Sequence, residues 1–219
     1  MIHPRPTLAA AAVGAALACP AAARADIIDI GKQGEVQPNC PTRCLAISRT
    51  TGYQAKVGPD RGLMTVPADG RLVAWTITLG KPGTKQQAFF ESKLGGEATA
   101  QISVLRTGNK LYSRVVGQGD VQKLTPYFGT TAQFALERSI PVKKGWIVAL
   151  TVPTWAPALQ DGLGSDTSWR ASRPRGSCDD TQTQRAQTQD GALSQYWCLY
   201  RTARVTYSAT MVTDPKPAS

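Results

Sequence analysis

The stretch that decides the fold is residues 132–152, with the sequence AQFALERSIPVKKGWIVALTV. Apolar and polar residues alternate through positions 132–142, and Arg138 is the one polar residue on the apolar face. A period of two residues is that of a half-buried strand. Lys143-Lys144-Gly145 has the composition of a turn, and the nearly continuous apolar run 146–152 predicts a strand covered on both faces. The stretch therefore predicts two consecutive strands joined by a tight turn.

The same patterns recur on both sides of this stretch. Residues 71–79 alternate, and the side chains predicted to face inward are Val73, Trp75, Ile77 and Leu79. Residues 98–106 and 110–116 flank Thr107-Gly108-Asn109, whose residue types tolerate a tight hairpin turn. Strands are also predicted at 195–200 and 204–212, whereas 86–94 is ambiguous. Short strands, regular turns and no 3.6-residue period after the N-terminus predict an all-β fold, an antiparallel two-sheet β-sandwich.

Two segments lack a clear pattern. Residues 26–60 are predicted to form an extended N-terminal arm, and residues 153–194 a long loop within one β-sandwich domain at 61–214. A loop of about 40 residues is unusual in a compact domain, so it is expected either to be stapled by a disulfide or to carry the function. Residues 215–219 are predicted to be a disordered tail.

The N-terminus has the three parts of a secretory signal peptide, predicted at residues 1–25. Arg5 supplies the positive charge, residues 8–18 are apolar, and Ala23-Arg24-Ala25 is a cleavage site of the A-x-A kind. The alternative is lipid anchoring at Cys19, but Ala16 stands where the lipidation motif usually carries a larger aliphatic residue. The apolar run is too short to span a bilayer, and no later segment is long enough. The protein is therefore predicted to be secreted by a bacterium, without an integral membrane span.

The cysteines support an exported protein. Without Cys19, four remain, and an even number in an exported chain predicts two disulfides. The local pairing Cys40–Cys44 and Cys178–Cys198 is favoured over pairings that would tie the N-terminal arm to the C-terminal region. A zinc site with four thiolates is the rival interpretation, and the wide separation of Cys178 and Cys198 disfavours it.

Three of these stretches also carry a resemblance to a known group of proteins. They are residues 73–78, the strand 100–106 with its following turn, and 134–152, and a closing strand ends in Asp214-Pro215. In these patterns the chain resembles secreted bacterial β-sandwich proteins of jelly-roll-like architecture, to which no activity is attached. The resemblance implies the fold and transfers no functional residue. It departs from the group at Gly145-Trp146, where an aspartate usually follows the glycine.

Several catalytic devices are excluded by composition. The only histidine, His3, lies in the predicted signal peptide, so histidine-based triads, histidine metal ligands and a histidine proton switch are ruled out for the mature chain. Serine-nucleophile and P-loop motifs are absent from the sequence. Glu137 is best explained as a solvated partner of a cross-strand base, and the aspartates at 161, 166, 179 and 180 lack the spacing of a calcium loop. No catalytic residue, cofactor or metal is predicted.

The binding candidates are aromatic and basic residues of the 153–194 segment. Trp155, between two prolines, and Trp169 are candidates for exposed stacking platforms, and the alternative for Trp155 is that it caps the end of the sandwich. Arg170, Arg173 and Arg175 are the accompanying candidates. The other tryptophans (Trp75, Trp146 and Trp197) fall on predicted strands and are expected in the core.

The positive net charge of the chain indicates which class of ligand it could bind. The chain has 25 Lys and Arg against 15 Asp and Glu, a net charge of +10. A basic face suits anionic polymers outside a cell, although solubility alone also explains such a surplus. The sequence predicts a non-enzymatic extracellular binding or adhesion domain for glycan or an anionic envelope polymer, and not for nucleic acid. The alternatives are a structural, surface-assembly protein that binds other proteins, and a carboxylate-dependent glycan-active enzyme.

Overall fold

A computed structural model describes residues 23–31, 34–180 and 183–216. Most of the predicted signal peptide, with His3 and Cys19, lies outside the described residues, as do residues 217–219 of the predicted tail. The described strands, in chain order, are β1 (Ile27–Ile30), β2 (Ile47–Val57), β3 (Asp60–Arg61), β4 (Gly70–Thr78), β5 (Thr99–Thr107), β6 (Tyr112–Gln118), β7 (Gln122–Lys123), β8 (Thr131–Val142), β9 (Ile147–Ala156), β10 (Leu159–Gln160), β11 (Ser168–Ala171), β12 (Leu193–Gln195), β13 (Cys198–Arg201), β14 (Arg204–Val205) and β15 (Tyr207–Thr213). One α-helix, α1, spans Thr84–Leu94.

The predicted all-β fold is confirmed, with antiparallel strands in two main sheets. One has the order β1-β15-β4-β8. The larger sheet has the order β12-β6-β5-β9-β2-β11-β13, with β3 paired to β2 and β7 to β5, and β10 and β14 form a separate two-stranded ladder. No helix in the described part of the chain is long and apolar enough to cross a membrane.

The apolar core lies between the two main sheets. From the smaller sheet, Trp75 and Ile77 are fully buried, and Trp75 packs against Phe134 with ring centroids 4.8 Å apart. From the larger sheet, Val148 and Leu150 of β9 point into the same core. We call this side of the larger sheet its inner face. The whole stretch 148–152 is buried, so the prediction that this strand is covered on both faces is confirmed.

The two segments without a sequence pattern are structured. The predicted arm 26–60 contains β1 and the 11-residue β2, which lies between β9 and β11 in the larger sheet. The predicted loop 153–194 is shorter than expected, because the end of β9 and β10, β11 and β12 fall within it; the part between β11 and β12 is the loop that Cys178–Cys198 staples. At the chain ends, Arg24 and Lys216 pair through their backbones.

Two local expectations are also corrected. The register of β4 shifts between Leu72 and Ala74, so Leu72 is buried in place of Val73. The ambiguous residues 86–94 are helical: the Gln86 side chain accepts a hydrogen bond from the Gly83 amide (2.8 Å), and Gly95 ends the helix with a φ of 100°. The half-buried stripe of α1 is largely polar, so apolar periodicity did not reveal it.

Both predicted disulfides are present. Cys40–Cys44 closes the turn before β2, and Cys178–Cys198 anchors the segment between β11 and β13. The segment 183–196 then crosses the outer face of the larger sheet, the face directed away from the smaller sheet. The Gln187 amide donates to Thr51 Oγ1 (3.0 Å), and the Gln118 side chain donates to the Gln187 carbonyl (2.8 Å). This segment covers part of the outer face with polar contacts.

Candidate functional site

The two predicted tryptophan platforms are buried. Trp155 is 0% exposed, packs against Phe90 and Phe128, and donates a hydrogen bond from Nε1 to the Gly96 carbonyl (2.9 Å). Trp169 is 6% exposed and stacks on Tyr200 with centroids 4.7 Å apart. Neither ring presents an open face, so neither can serve as a stacking platform in this structure.

Arg173 has a structural position. It is buried at 5% exposure, and its Nη1 donates to the Tyr200 hydroxyl (2.5 Å) and to the Cys178 carbonyl (3.4 Å). Its Nη2 donates to the Ser48 carbonyl (3.2 Å). The guanidinium thus joins β2, the disulfide and β13, and it satisfies backbone groups that would otherwise be buried without partners. A ligand cannot contact Arg173 without breaking this network.

The other two candidate arginines, Arg170 and Arg175, both contact Trp197, which the sequence analysis expected in the core. Trp197 is 40% exposed, and the Arg175 guanidinium lies over its ring, 5.2 Å from the centroid. Nη1 of Arg170 donates to the carbonyls of Tyr196 (3.1 Å) and Trp197 (3.0 Å). Its chain neighbours Tyr196 and Cys198 are both 0% exposed. No period of two marks Trp197 in the sequence, because it precedes β13 and its amide and that of Cys198 both donate to the Arg173 carbonyl, which interrupts the alternation.

Arg170 also borders a cleft on the outer face of the larger sheet. The cleft has a volume of about 250 Å³. Its lining residues are Tyr53, Gln54, Ala55, Lys56, Arg61, Gly62, Met64, Thr65, Ile147, Ser168, Arg170 and Leu199. Three of these carry a positive charge and none carries a negative charge. We call this site the cationic cleft.

Strand register builds the cationic cleft. Lys56 of β2 and Arg61 of β3 are direct cross-strand partners, which places two like charges opposite each other. On the other side of β2, Tyr53 pairs with Arg170 of β11, and Arg170 pairs with Leu199 of β13. Three neighbouring strands, β2, β3 and β11, therefore bring three cations and one phenol to the same cleft, and β13 adds Leu199. The sequence did not reveal it because the pairing of β2 with β3 and β11 joins distant or unpatterned segments.

Tyr53 supplies a neutral donor beside these cations. Its ring lies 5.6 Å from the Tyr196 ring and is half-buried. Burial raises the pKa of Tyr53, and the Arg170 charge acts in the opposite direction without cancelling that effect. The phenol therefore keeps its proton at neutral pH and can donate a hydrogen bond to an anionic oxygen.

A second groove lies on the outer face of the smaller sheet. Its volume is about 690 Å³, and its walls include Asp29, Glu35 and the hydroxyls of Thr76 and Thr78. Asp29 accepts a hydrogen bond from Thr210 (2.8 Å). The Glu35 carbonyl accepts one from Arg204, which fixes this wall of the groove. Under the alternative hypothesis of a carboxylate-dependent enzyme, this groove is the candidate active site, because Asp29 and Glu35 both line it.

Comparison with known proteins adds no family to this description. The chain matches no family model, no curated protein and no solved structure. What the protein does must therefore be argued from the cationic cleft and its surroundings.

Proposed function

We propose that this protein is a non-enzymatic extracellular binding domain that holds an anionic polymer in the cationic cleft. The observation that carries the proposal is the direct opposition of Lys56 and Arg61, with Arg170 lining the same cleft. The two disulfides suit the oxidising conditions outside the cytoplasm, which is where the predicted signal peptide would direct the chain.

Opposed like charges cost stability in a folded sheet. Directly opposite residues in an antiparallel pair have Cβ atoms about 5 Å apart, and like charges in such positions are destabilising. In the part of the chain that the structure describes, no acidic side chain lines the cleft to offset the repulsion between Lys56 and Arg61. An anionic group bound between them would remove the repulsion and form charge-assisted hydrogen bonds.

Arg170 is held in position to contribute to the same interaction. Its two hydrogen bonds to backbone carbonyls both use Nη1. No acceptor among the described residues contacts its Nε or Nη2, so these donors are available to a ligand. A guanidinium fixed by its own protein contacts loses less conformational entropy on binding than a freely rotating one.

The proposal is tested by binding to matched polymers. The wild-type protein should be retained on heparin, polygalacturonate and polyphosphate at low salt but not on a neutral dextran, and salt should weaken the binding steeply. The double variant Lys56→Gln/Arg61→Gln should lose at least tenfold in affinity. The control is Lys85→Gln/Lys93→Gln, which removes the same charge from the exposed surface of α1, at the other end of β9.

Three outcomes would contradict the proposal. Equal losses for the two double variants would show that net charge, and not the cleft, determines binding. Shortening of a polymer chain during incubation would favour the enzyme alternative. A concentration-dependent oligomer in light scattering, without retention on any polymer, would favour the surface-assembly alternative.

A further inference from the structure

We propose that the cationic cleft prefers a phosphate monoester, carried by the polymer as a side group or at a chain end, to a carboxylate or a sulfate ester. This inference rests on the proposed function, because it names the anionic group that the same site would hold. Four properties of the cleft support it: a nearly buried hydroxyl without a partner, donors from three strands, a surplus of positive charge, and a small volume.

Ser168 of β11 brings the hydroxyl to the cleft. The residue is 5% exposed and lines the cleft. Its Oγ forms no hydrogen bond with any other described residue, and unlike the Tyr196 hydroxyl it is not completely enclosed. A nearly buried polar group without a partner costs stability. An oxygen of a bound ligand would accept the hydrogen bond that this hydroxyl lacks.

Strand register places this hydroxyl on the same face as Arg170. The pairing of β11 with β13 is regular from Ser168 to Ala171, so the side chains of residues 168 and 170 point to one side of the strand. The pairing of β11 with β2 does shift register, but the extra residue is Ala55 of β2, so β11 itself keeps its alternation. Trp169, on the opposite side, belongs to the apolar core. The Ser168 hydroxyl and the Arg170 guanidinium therefore approach a bound group from the same strand.

The charged and phenolic donors belong to three strands. The cleft is lined by Tyr53 and Lys56 from β2, Arg61 from β3 and Arg170 from β11. In the described part of the chain, the first three side chains form no hydrogen bond or ion pair, and both bonds of Arg170 use Nη1. A phosphate monoester has three terminal oxygens that point in different directions, whereas the two oxygens of a carboxylate lie in one plane. Donors from several strands around one cleft therefore fit the phosphate better.

The charge of the cleft distinguishes a phosphate monoester from a sulfate ester. Lys56, Arg61 and Arg170 contribute three positive charges to the lining. The acids that are close to them along the described chain, Asp60 and Asp166, do not line the cleft. A phosphate monoester carries a charge of about −1.5 to −2 at neutral pH, whereas a sulfate ester or a carboxylate carries a single charge. The more highly charged anion offsets more of the repulsion among the three cations.

The size of the cleft limits how much of a polymer enters it. Ligand pockets commonly measure about 300–1,000 Å³, and the cationic cleft, at about 250 Å³, is smaller. This volume suits one phosphate with the small unit that carries it, and not a length of polymer lying inside the cleft. The phosphate is therefore expected as a side group or at a chain end.

The first test compares three sugars that differ in their acidic group. Wild-type affinities for glucose 6-phosphate, glucose 6-sulfate and glucuronate are measured by titration calorimetry at low salt, at pH 5 and pH 7.5. We expect the phosphate to bind at least tenfold more tightly than the other two at pH 7.5. It should weaken at least threefold at pH 5, because its second pKa is about 6, whereas the sulfate and the carboxylate stay ionised. The described part of the chain has no histidine, so this change in pH acts mainly on the ligand.

The second test removes the unpartnered hydroxyl. Ser168→Ala should weaken the binding of glucose 6-phosphate at least threefold and leave that of glucuronate within twofold. The matched control is Ser92→Ala, which removes an exposed serine hydroxyl on α1 and should leave both affinities unchanged. Circular dichroism and the melting temperature verify folding of both variants. Phosphorylated dextran and vesicles containing phosphatidic acid then distinguish a polymer from a lipid as the carrier of the phosphate.

The outcomes separate this inference from the proposed function. If Lys56→Gln/Arg61→Gln abolishes binding of anionic polymers but wild type binds the three sugars equally, the phosphate assignment is wrong and the anion-binding function stands. If the double variant has no effect on any ligand, both are wrong. Phosphate binding that is independent of pH and unchanged in Ser168→Ala would also overturn the assignment. Binding to the vesicles but not to phosphorylated dextran would overturn the polymer as the carrier.

Discussion

The two faces of the larger sheet are built on different physical principles, although the same strands form both. The inner face of β9 presents Val148 and Leu150 to the apolar core. On the outer face, Thr151 Oγ1 lies 2.9 Å from Thr51 Oγ1 and 2.6 Å from Ser103 Oγ. All three hydroxyls belong to fully buried residues, beneath the segment 183–196. The inner face is stabilised by removing apolar area from water, and the outer face by satisfying polar groups.

This difference explains where function can reside. An apolar face packed against another sheet has little freedom to acquire charged residues without losing stability. The outer face is covered by polar contacts over the hydroxyl row and is open at the cationic cleft. Charged residues on this face cost little as long as solvent reaches them. The predictions below test the contrast between the two faces, beginning with the largest expected effect.

The largest effect is expected from Leu150→Ala on the inner face. Leu150 is 1% exposed, and truncation of a buried leucine leaves a cavity and costs about 2–5 kcal/mol. The measurement is the free energy of unfolding from urea titration. Leu193→Ala is the matched control because Leu193 is 53% exposed on β12, where the loss should be within about 0.5 kcal/mol. Similar losses at the two leucines would refute the assignment of the core to the inner face.

A smaller effect is expected from Thr151→Val on the outer face. Valine keeps the shape but removes the hydroxyl that links Thr51 and Ser103, each of which retains another partner. The expected loss of stability is about 1–2 kcal/mol. In a double-mutant cycle with Ser103→Ala, the two losses should not add, because both substitutions break the same bond. Full additivity would show that the hydroxyl row is not a connected network.

These two faces also show how far the sequence predicts the structure. Alternation, turn residues and the four cysteines predicted the sheets and both disulfides, because these features depend on local spacing. The segment 153–194 had no apolar period because its later part covers polar side chains such as Thr51 and Gln118. The backbone groups of this segment form individual hydrogen bonds to different partners, so its sequence shows no regular period. The sequence therefore predicted the inner face far better than the outer one.

The candidate site was predicted only in part, for a related reason. Arg170 lines the cationic cleft, whereas Arg175 lies over the Trp197 ring and is not among the residues that line the cleft. The two tryptophans expected to be exposed, Trp155 and Trp169, are buried, and Trp197, expected in the core, is exposed. Prolines around Trp155 suggested an exposed loop, but β9 continues to Ala156 and buries that ring. The opposition of Lys56 and Arg61 depends on the β2–β3 register, which no local pattern specified.

Two buried tyrosines test hydrogen bonding on each side of the sheet. Tyr207 donates to the Val148 carbonyl on the inner face (3.0 Å), so Tyr207→Phe should cost about 1 kcal/mol. The Tyr196 hydroxyl has no partner among the described residues, so Tyr196→Phe should be neutral or slightly stabilising. Urea midpoints at pH 8 provide the comparison. A loss at Tyr196 as large as that at Tyr207 would contradict it.

The same tyrosines predict the response to alkali. Burial raises the pKa of both Tyr196 and Tyr207 above the ordinary 10.0, so the folded state favours the protonated phenol. Their contribution is fully present below pH 10 and is lost at higher pH, because the unfolded chain ionises first. Each Phe variant should therefore lose less stability than wild type between pH 9 and pH 11. An unchanged loss in both variants would show that other groups dominate the alkaline response.

The smallest effect is expected from Lys56→Gln, and its sign is informative. Without ligand, this change removes the repulsion with Arg61 and should stabilise the fold by about 0.5 kcal/mol at low salt. The gain should vanish at high salt, because exposed charges are screened. Lys85→Gln on α1 should show no such gain. With saturating anionic polymer, wild type should instead become the more stable protein, because only it retains the full cleft. If the Lys56 charge destabilises the free protein and stabilises the complex, that is evidence for binding that a loss of affinity alone does not provide. If Lys56→Gln is instead less stable than wild type at low salt, the Lys56–Arg61 pair stabilises the fold, and the main argument for binding in the cleft is lost.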